Sequence, residues 1–506
     1  MSAMPMRARV APVAPARRAG RACPSARHAR HVRASSDARG AVASKLPRRA
    51  ALALSGAASL ATGAAALGAS AGASPTPSPA SSTAFARSGA ARNRVVFDDA
   101  RVAIPGSGQS VPVATWFPDA SGAGAAAPSA ISDRRDPASS PLYYPHAISV
   151  AKIARVLLNT PESTPRWLDR QTPLLAASHV RSAARGETSS ASSARAATSS
   201  DKVAVLCHGY LGSRFDLVDL AEALASEGFL VLAPEFAESL ASPETTPAYA
   251  RPGAPPPRNP SATRDEVVDA ALRAFAPGFF AETSAPERGA SPRRAPRVVI
   301  AGQSAGASTA TSARGPFAAR VAIAGFRPPP PEAREAREAL LRDPLLVVAS
   351  AGDGVISLYP RESGAFGAYE GIAASVEGMP ARVPKYDIGA FAVRVRETRA
   401  EKADAASPRA EAKRAKGASA LNAFLTYEPP GGDGGATDGL PCHISFLSSR
   451  TNDAMVEVLS PLLPVARAVG VPVLDFDVYQ TTRDSDAVNA QLVPLVAEWL
   501  NAAVDE

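Results

Sequence analysis

The chain alternates short, continuous apolar runs with segments whose apolar residues recur at helical spacing. Continuous apolar runs of this length are typical of strands buried on both faces of a sheet. The runs predict strands at Arg94–Asp98, Arg101–Ile104, Val111–Phe117, Val203–Cys207, Phe229–Ala233, Val298–Ala301, Val321–Ala324 and Leu345–Ser350. Helical spacing occurs around 217–224, 267–275 and 488–504, and residues 305–314 are also compatible with a helix. This alternation predicts a mostly parallel sheet covered by helices on both faces.

Between these elements lie segments rich in Ala, Ser, Pro, Gly or charge, with little apolar periodicity. Such composition favours flexible insertions over packed structure. The segments are 119–140, 181–200, 243–264, 282–296, 400–418 and 429–439. No internal repeat accompanies them.

The positive charge of the chain is concentrated at its N-terminus. Residues 1–50 hold twelve Lys or Arg against the single acid Asp37, a net of +11, whereas the whole chain carries +8. The remainder therefore carries −3, and no basic stripe with interleaved aromatics follows. Nucleic-acid binding is accordingly not expected.

The N-terminal residues have the composition of targeting segments. The Arg-, Ala- and Ser-rich start, with Val32-Arg33-Ala34 before Ser35, is typical of an organelle transit peptide. Arg48-Arg49 then precede an uncharged Ala/Leu/Gly stretch that ends at Ala69-Ser70-Ala71, the order of a twin-arginine signal. We therefore expect a bipartite leader to the chloroplast thylakoid lumen over 1–73, a linker over 74–90 and one domain over 91–506. A low-complexity tail and an uncleaved membrane anchor are the alternatives.

The pentapeptide around Ser304 is the most informative local pattern. Gly302-Gln303-Ser304-Ala305-Gly306 follows the apolar run 298–301 and precedes a helix-compatible segment. A serine between two glycines at a strand-to-helix turn is typical of a nucleophile elbow. Ser304 is therefore a candidate nucleophile, and a plain structural turn is the alternative.

A nucleophilic serine needs a base, and the base needs an acid that orients it. Where the three residues follow one another in the order serine, acid, histidine, the base must come after the serine. Of the six histidines, only His443 follows Ser304. Asp353 lies just past the apolar strand 345–350, after Ala351-Gly352, which would place it at the carboxyl end of the sheet, whereas Asp343 precedes that strand and would lie at the wrong end. His443 is therefore the candidate base and Asp353 the candidate acid, although Asp353 could also be a turn residue.

The loop after the strand at 203 supplies candidates for stabilising an oxyanion. It reads Cys207-His208-Gly209-Tyr210-Leu211-Gly212, and a tight loop of this kind can direct backbone N–H groups at developing negative charge. The backbone N–H groups of Tyr210 and Ala305 are the predicted donors. His208 is expected to orient the loop rather than to transfer protons.

Together these segments resemble the plasma-type platelet-activating-factor acetylhydrolases of the α/β-hydrolase superfamily. The similarity is carried by the His208-Gly209 loop, the stretch Leu220-Ala-Glu-Ala-Leu-Ala-Ser-Glu-Gly-Phe, the strand at 111, the pentapeptide at 302–306 and His443-Ile-Ser-Phe. It implies an α/β-hydrolase fold over roughly 94–504 and hydrolysis of a lipid or small acyl ester without a metal or organic cofactor. Those enzymes have their acid after the strand that here ends at Gly325-Phe326-Arg327, where no carboxylate occurs. Chlorophyllases and dienelactone hydrolases share the fold and remain competitors.

Two further features bear on partners and redox state. Residues 147–159 form an amphipathic pattern, with Ile153 and Leu157 on one face and Lys152 and Arg155 on the other. A helix packed on the core and an apolar lip that contacts a membrane are both consistent with it. Cys207 and Cys442 lack metal spacing, and we expect two buried free thiols, with a disulfide as the alternative.

A non-catalytic hydrolase scaffold that binds a small molecule or a protein is the rival function.

Overall fold

The computed structural model describes most of the region predicted to fold. The described residues are 93–119, 141–150, 152, 169–183, 200–241, 262–280, 295–360, 370–379, 383–403, 421–430, 432, 435–468 and 475–504. The predicted leader, 1–73, and linker, 74–90, lie outside these residues and stay predictions, as do most of the predicted insertions. Most of the amphipathic pattern at 147–159 also lies outside them; Lys152, which that pattern put on a polar face, is buried.

A ten-stranded sheet forms the centre of the described structure. Its strands are β1 (Val95–Ala103), β2 (Ser110–Pro118), β7 (Val180–Ser182), β8 (Lys202–Cys207), β9 (Leu230–Pro234), β10 (Arg297–Gln303), β11 (Ala319–Ile323), β12 (Leu345–Ser350), β13 (Lys385–Tyr386) and β14 (Ala423–Tyr427). Four two-residue strands, β3 (Tyr143–Tyr144), β4 (Ala147–Ile148), β5 (Arg170–Gln171) and β6 (Leu174–Leu175), pair in two small ribbons, β3 with β6 and β4 with β5.

The order of strands across the sheet is β13-β14-β12-β11-β10-β8-β9-β2-β1-β7. Only β2 runs antiparallel to its neighbours, β1 and β9, while the other pairs are parallel. If the short strands β7 and β13 are left out and the remaining eight are numbered along the chain, their order across the sheet, starting from β1, is 1-2-4-3-5-6-7-8. This is the topology of the α/β-hydrolase fold, so the predicted fold class is confirmed.

Helices cover the sheet on both faces. They are α1 (Val218–Ser226), α2 (Arg264–Phe275), α3 (Ala305–Ser312), α4 (Arg334–Arg342), α5 (Ile372–Glu377), α6 (Ile388–Ala403), α7 (Ser449–Leu459), α8 (Leu463–Ala468), α9 (Phe476–Thr482) and α10 (Ser485–Val504), with 3₁₀ turns at Pro277–Phe280, His443–Phe446 and Ser460–Leu462. Among the helices that the structure describes, none is both long and apolar enough to span a bilayer.

Strand β8 shows why its run is apolar without interruption. Val203 and Val205 pack into one hydrophobic cluster together with α2, whereas Ala204 and Leu206 pack into another together with α1 and α10. Because successive side chains point to opposite faces, a strand between two helical layers buries every residue. The sheet core thus lies in two layers, and the carboxyl ends of the parallel strands meet at one edge.

The first strand corrects one prediction. Residues 94–98 and 101–104 do not form two short strands but one, β1, which pairs with β2 over its full length. The acids Asp98 and Asp99 interrupt the apolar pattern without interrupting the strand. The Asp98 backbone carbonyl accepts a hydrogen bond from Thr115 Oγ1 at 3.0 Å, and Asp99 pairs with Arg214 at 2.9 Å. The strand therefore continues through both acids, with its polar groups bound to neighbouring elements, although the sequence pattern predicts a break there.

The boundaries of three predicted insertions are also wrong. Residues 181–182 continue β7, which pairs with β1, residue 264 is the first residue of α2, and residues 400–403 are the last turn of α6. Thr263 caps that helix: its hydroxyl accepts from Glu266 N–H at 3.2 Å, and Glu266 Oε2 accepts from Thr263 N–H at 2.7 Å. This reciprocal capping box is visible in the sequence as Thr-x-x-Glu.

Candidate active site

Ser304 lies at a sharp turn between β10 and α3. Its backbone has φ 55° and ψ −120°, a positive-φ conformation that is uncommon for a residue with a side chain. The flanking glycines make the turn possible: a Cβ on Gly302 would lie 2.1 Å from Gly306 O, and a Cβ on Gly306 would lie 2.0 Å from Cys207 O. Strained backbone of this kind persists only where the surrounding structure enforces it, and it occurs most often at functional sites.

The neighbouring strand β11 holds this turn in place. Ser304 N–H donates to Ile323 O at 2.9 Å, and a Cβ on Gly325 would lie 2.2 Å from Ser304 O. The chain after β11 therefore passes directly against the backbone of Ser304. This close contact explains why position 325 carries glycine, and it leaves no room for a carboxylate at that position.

The structure brings the three candidate side chains Ser304, His443 and Asp353 into one hydrogen-bonded chain. His443 Nδ1 lies 2.8 Å from Asp353 Oδ2, and His443 Nε2 lies 3.1 Å from Ser304 Oγ. Because an ionised carboxylate only accepts, Nδ1 donates to Asp353, and Nε2 is left to accept the hydroxyl proton of Ser304. All three residues are buried.

Asp353 is fixed by its own loop at the end of β12. Its Oδ1 accepts from Val355 N–H at 2.8 Å and from Ile356 N–H at 2.7 Å, so that Oδ2 is left for the imidazole. Burial disfavours protonation of His443, but the carboxylates of Asp353 and, to a lesser extent, Asp475 together more than offset this effect, and the pKa of His443 is raised above its ordinary value of 6.5.

His443 begins a 3₁₀ turn that follows Cys442, and two side chains position it. Gln303 Nε2 donates to His443 O at 3.1 Å. Asp475 Oδ2 accepts from His443 N–H at 3.0 Å and from Gly354 N–H at 2.7 Å. Sequence reasoning did not identify Asp475, because no local pattern marks an acid 32 residues after the histidine as its neighbour.

The loop after β8 carries the predicted oxyanion donor Tyr210. Gly209 O accepts from His208 Nδ1 at 2.7 Å and from Arg264 Nη2 at 3.2 Å, while Arg264 Nη1 also donates to His208 O at 2.8 Å. Since the peptide is trans, the Tyr210 N–H points opposite to the Gly209 carbonyl, away from Arg264. The second predicted donor, Ala305, starts α3, where the backbone N–H has no partner within the helix.

His208 has the orienting geometry that was expected of it. Its Nε2 accepts from Phe236 N–H at 2.9 Å, and its Nδ1 donates to Gly209 O. Burial, together with the nearby Arg264 charge, lowers the pKa of His208 to about 4, so the ring is neutral near pH 7. A neutral ring with Nδ1 protonated satisfies both hydrogen bonds.

Arg264 is a second residue that sequence reasoning missed, since the predicted insertion 243–264 included it. Its guanidinium donates to Glu238 Oε1 at 2.6 Å and lies 4.2 Å from the ring centre of Phe236. The capping box at Thr263 and Glu266 is the sequence signal that could have placed Arg264 in a helix rather than in an insertion.

Ser304 and His443 open into a cavity of about 120 Å³. Tyr210, in the loop after β8, lines the cavity as well. Its wall is mostly apolar, with Ile148, Leu211, Leu240, Ile444, Leu447, Met455, Leu459, Leu462, Leu463 and Phe476, and its polar lining includes His146, Asp216 and Asn452. No Lys or Arg occurs among the described residues that line it. Burial lowers the pKa of His146 to about 4 and raises that of Asp216 to about 7, so both tend toward their neutral forms.

Cys207 and Cys442 are free and buried, and they belong to different hydrophobic clusters. Burial raises the pKa of each thiol to about 12, so neither is a thiolate near neutral pH. Across the described part of the chain, no group of three His, Cys, Asp or Glu residues lies close enough to hold a metal ion.

No protein-family model matches this sequence, and no curated protein matches it. Among solved structures, the chain is similar to a ferulic acid esterase from Streptomyces cinnamoneus, with 20% identity, 52% of this chain and 67% of that chain covered, and a TM-score of 0.25. It is also similar to a protein described as a dienelactone hydrolase from Klebsiella pneumoniae, with 14% identity, 72% and 97% coverage, and a TM-score of 0.27. Both identities and both TM-scores are low, so the fold is assigned from the strand order and from the turn at Ser304.

Proposed function

We propose that this chain is a serine carboxylic-ester hydrolase that acts through an acyl-enzyme intermediate. The observation that carries the proposal is the hydrogen-bonded chain from Ser304 through His443 to Asp353, built on a turn with positive φ at the nucleophile. The rival interpretation, a non-catalytic scaffold, was motivated by the missing acid after β11. Because Asp353 accepts the His443 hydrogen bond from the next strand, that motivation is removed.

In the proposed reaction, His443 Nε2 takes the hydroxyl proton of Ser304 while Oγ bonds to the ester carbonyl carbon. Asp353 keeps Nδ1 protonated and stabilises the imidazolium that forms. The tetrahedral intermediate then collapses, the carbon–oxygen bond to the alcohol breaks, and His443 returns the proton to the departing alkoxide. Water, deprotonated by His443, attacks the acyl carbon of the Ser304 ester. The bond between Oγ and the acyl carbon then breaks, His443 returns the proton to Oγ, and the carboxylic acid leaves.

The negative charge on the tetrahedral intermediate requires donors that are already in place. We assign this role to the backbone N–H groups of Tyr210 and Ala305. The hydrogen bonds that Gly209 O accepts from His208 and Arg264 support the first assignment, because they fix the peptide that carries the Tyr210 N–H. Polarisation of that peptide by a guanidinium would strengthen its donor.

The cavity favours a neutral, apolar acyl group of modest size. An apolar cavity of about 150 Å³ admits a benzene ring, so the 120 Å³ here would take roughly four to six carbon atoms. Without a Lys or Arg among the described lining residues, an anionic group in this cavity would be desolvated without a cationic partner among them. A phospholipid head group would therefore remain outside, while the acyl chain enters.

The finer proposal is an acetylhydrolase-like activity on lipid esters that carry a short acyl chain. A chlorophyllase-like or dienelactone-hydrolase-like esterase is the competing assignment, and the chemistry at Ser304 would be the same. The targeting signals support a site of action in the thylakoid lumen. Import of a fusion of residues 1–90 into isolated chloroplasts tests that location, and retention of the fusion outside the plastid would contradict it.

The catalytic proposal is tested with p-nitrophenyl butyrate and a fluorophosphonate probe. Wild-type protein should turn over the ester and should be labelled at Ser304, whereas Ser304→Ala should lose both signals. Ser312→Ala is the matched control, since Ser312 is exposed on the same helix and its hydroxyl donates only within that helix. Absence of turnover and of labelling in folded wild-type protein would eliminate the enzyme in favour of the scaffold.

The substrate proposal is tested with p-nitrophenyl esters from acetate to palmitate, followed by phospholipids and galactolipids with short or long acyl chains. The value of kcat/KM should be highest at about four to six acyl carbons and should fall for longer chains, because the cavity admits about that volume. A maximum at palmitate would exclude the short-acyl assignment while leaving the serine mechanism intact.

A further inference from the structure

Asp475 connects the loop that carries the proposed acid to the loop that carries the proposed base. A single oxygen, Oδ2, accepts from His443 N–H at 3.0 Å and from Gly354 N–H at 2.7 Å. Gly354 directly follows Asp353, so this one oxygen binds both the residue next to the proposed acid and the backbone of the proposed base, His443. Asp475 makes no hydrogen bond with Ser304, so its influence on the reaction would pass through Asp353 and His443.

The position of Asp475 is built into the fold. The residue adopts a left-handed conformation with φ 65°, a region that Asp tolerates better than most residues. It precedes α9, whose Phe476 and Tyr479 are buried in one hydrophobic cluster; Phe476 also lines the cavity. A Cβ on Gly354 would lie 2.1 Å from Asp475 Oδ1, so the acid loop approaches this carboxylate without space for a side chain.

Asp475 also places a second negative charge beside the imidazole. Burial raises the pKa of Asp475 above its ordinary value, and the hydrogen bonds from His443 and Gly354 oppose that effect. For His443, burial disfavours the protonated ring, while Asp353 and then Asp475 favour it. Another carboxylate near the 3₁₀ turn of His443, that of Asp484, accepts a hydrogen bond from Ser445 Oγ, and its charge contributes to the raised pKa of Cys442.

We propose that Asp475 is a positioning residue of the catalytic site, which fixes the separation of the Asp353 and His443 loops and supports the imidazolium with a second charge. This inference rests on the proposed ester hydrolysis. An isosteric amide at 475 keeps an acceptor for the two N–H groups and removes only the charge, whereas alanine removes both. The two contributions can therefore be separated by substitution.

The experiment measures kcat and KM for p-nitrophenyl butyrate from pH 4.5 to 9 in wild type, Asp475→Asn and Asp475→Ala. In Asp475→Asn the acid limb of kcat/KM should move down by about one pH unit, because an opposite charge near the imidazole no longer favours its protonated form. In Asp475→Ala, kcat should fall by roughly 10²-fold with KM little changed, since loop displacements of about 1 Å have that effect.

Asp477→Asn is the matched control. It removes a carboxylate from α9, the helix that Asp475 precedes, but the Asp477 side chain is partly exposed and pairs with Arg467 at 3.2 Å. Its pH profile should superimpose on that of wild type. If wild type is active and the acid limb of Asp475→Asn does not move, the proposal for Asp475 is wrong while the hydrolase remains. If wild type has no turnover, the proposed function itself fails. Should Asp475→Ala not fold, Asp475→Asn alone decides the question.

Discussion

Replacing Gly306 by alanine should displace the nucleophile. A Cβ at this position would lie 2.0 Å from Cys207 O and 2.7 Å from His208 O, whereas ordinary contact begins at 3.4 Å. Both partners are backbone atoms, which cannot rotate aside as a side chain does. The start of α3 and the end of β8 would therefore have to separate by about 1.4 Å, the difference between 3.4 and 2.0 Å.

Two consequences follow from that separation. Overpacking of this kind destabilises a protein by about 1–3 kcal/mol. A displacement of about 1 Å at the reacting groups lowers the rate by roughly 10²-fold, since attack requires near-contact geometry. Because Ser304 and the Ala305 N–H both move with α3, the loss should appear in kcat, with KM changing much less.

The assay compares Gly306→Ala with Gly378→Ala. Gly378 has ordinary helical φ and ψ, and a Cβ there would come no closer than 3.4 Å to a neighbouring atom, so alanine should change stability by no more than about 0.5 kcal/mol. Thermal unfolding gives the stability and p-nitrophenyl butyrate hydrolysis gives kcat for both. A Gly306→Ala variant with the unfolding temperature and kcat of Gly378→Ala would refute the steric argument at the turn.

Three further predictions concern the acid, the base and the oxyanion loop. Asp353→Asn should lower kcat by about 10⁴-fold, because the imidazole loses its orienting acceptor, whereas Asp343→Asn at the opposite end of β12 should retain activity; equal activities would mean that Asp353 is not the acid. The raised pKa of His443 predicts that kcat/KM falls as the pH drops through a value above 6.5, since the protonated ring cannot accept the serine proton; a pH profile that stays flat down to pH 5 would contradict this. Arg264→Lys should reduce kcat by about 10-fold with little change in KM, because a single ammonium nitrogen cannot replace the three guanidinium nitrogens that separately bond Glu238, His208 O and Gly209 O, while Arg273→Lys on the same helix should not; a change confined to KM would argue against a role for Arg264 in positioning the loop after β8.

Local patterns in the sequence predicted most of the sheet. The longer apolar strands were identified to within one to three residues, because a strand between two helical layers is apolar at every position. Strand β14 was not predicted, since its five residues lie among segments that were interpreted as insertions. Helices α4 to α9 were also missed. The faces of α4 and α6 are largely polar or exposed, and the positions of these two helices depend on packing rather than on periodicity.

The sequence by itself determined the strand-to-helix turn at Ser304, the only downstream histidine and an acid at a strand end, because each of these depends on neighbours within a few residues. It also carried the targeting signals, which stay predictions. Only the tertiary structure showed that Asp353 and His443, which are 90 residues apart in the chain, lie 2.8 Å from each other, since no local pattern encodes a contact over that separation. Arg264 and Asp475 likewise emerged only from the fold, because their partners lie 26 to 121 residues away, and no periodicity encodes such contacts.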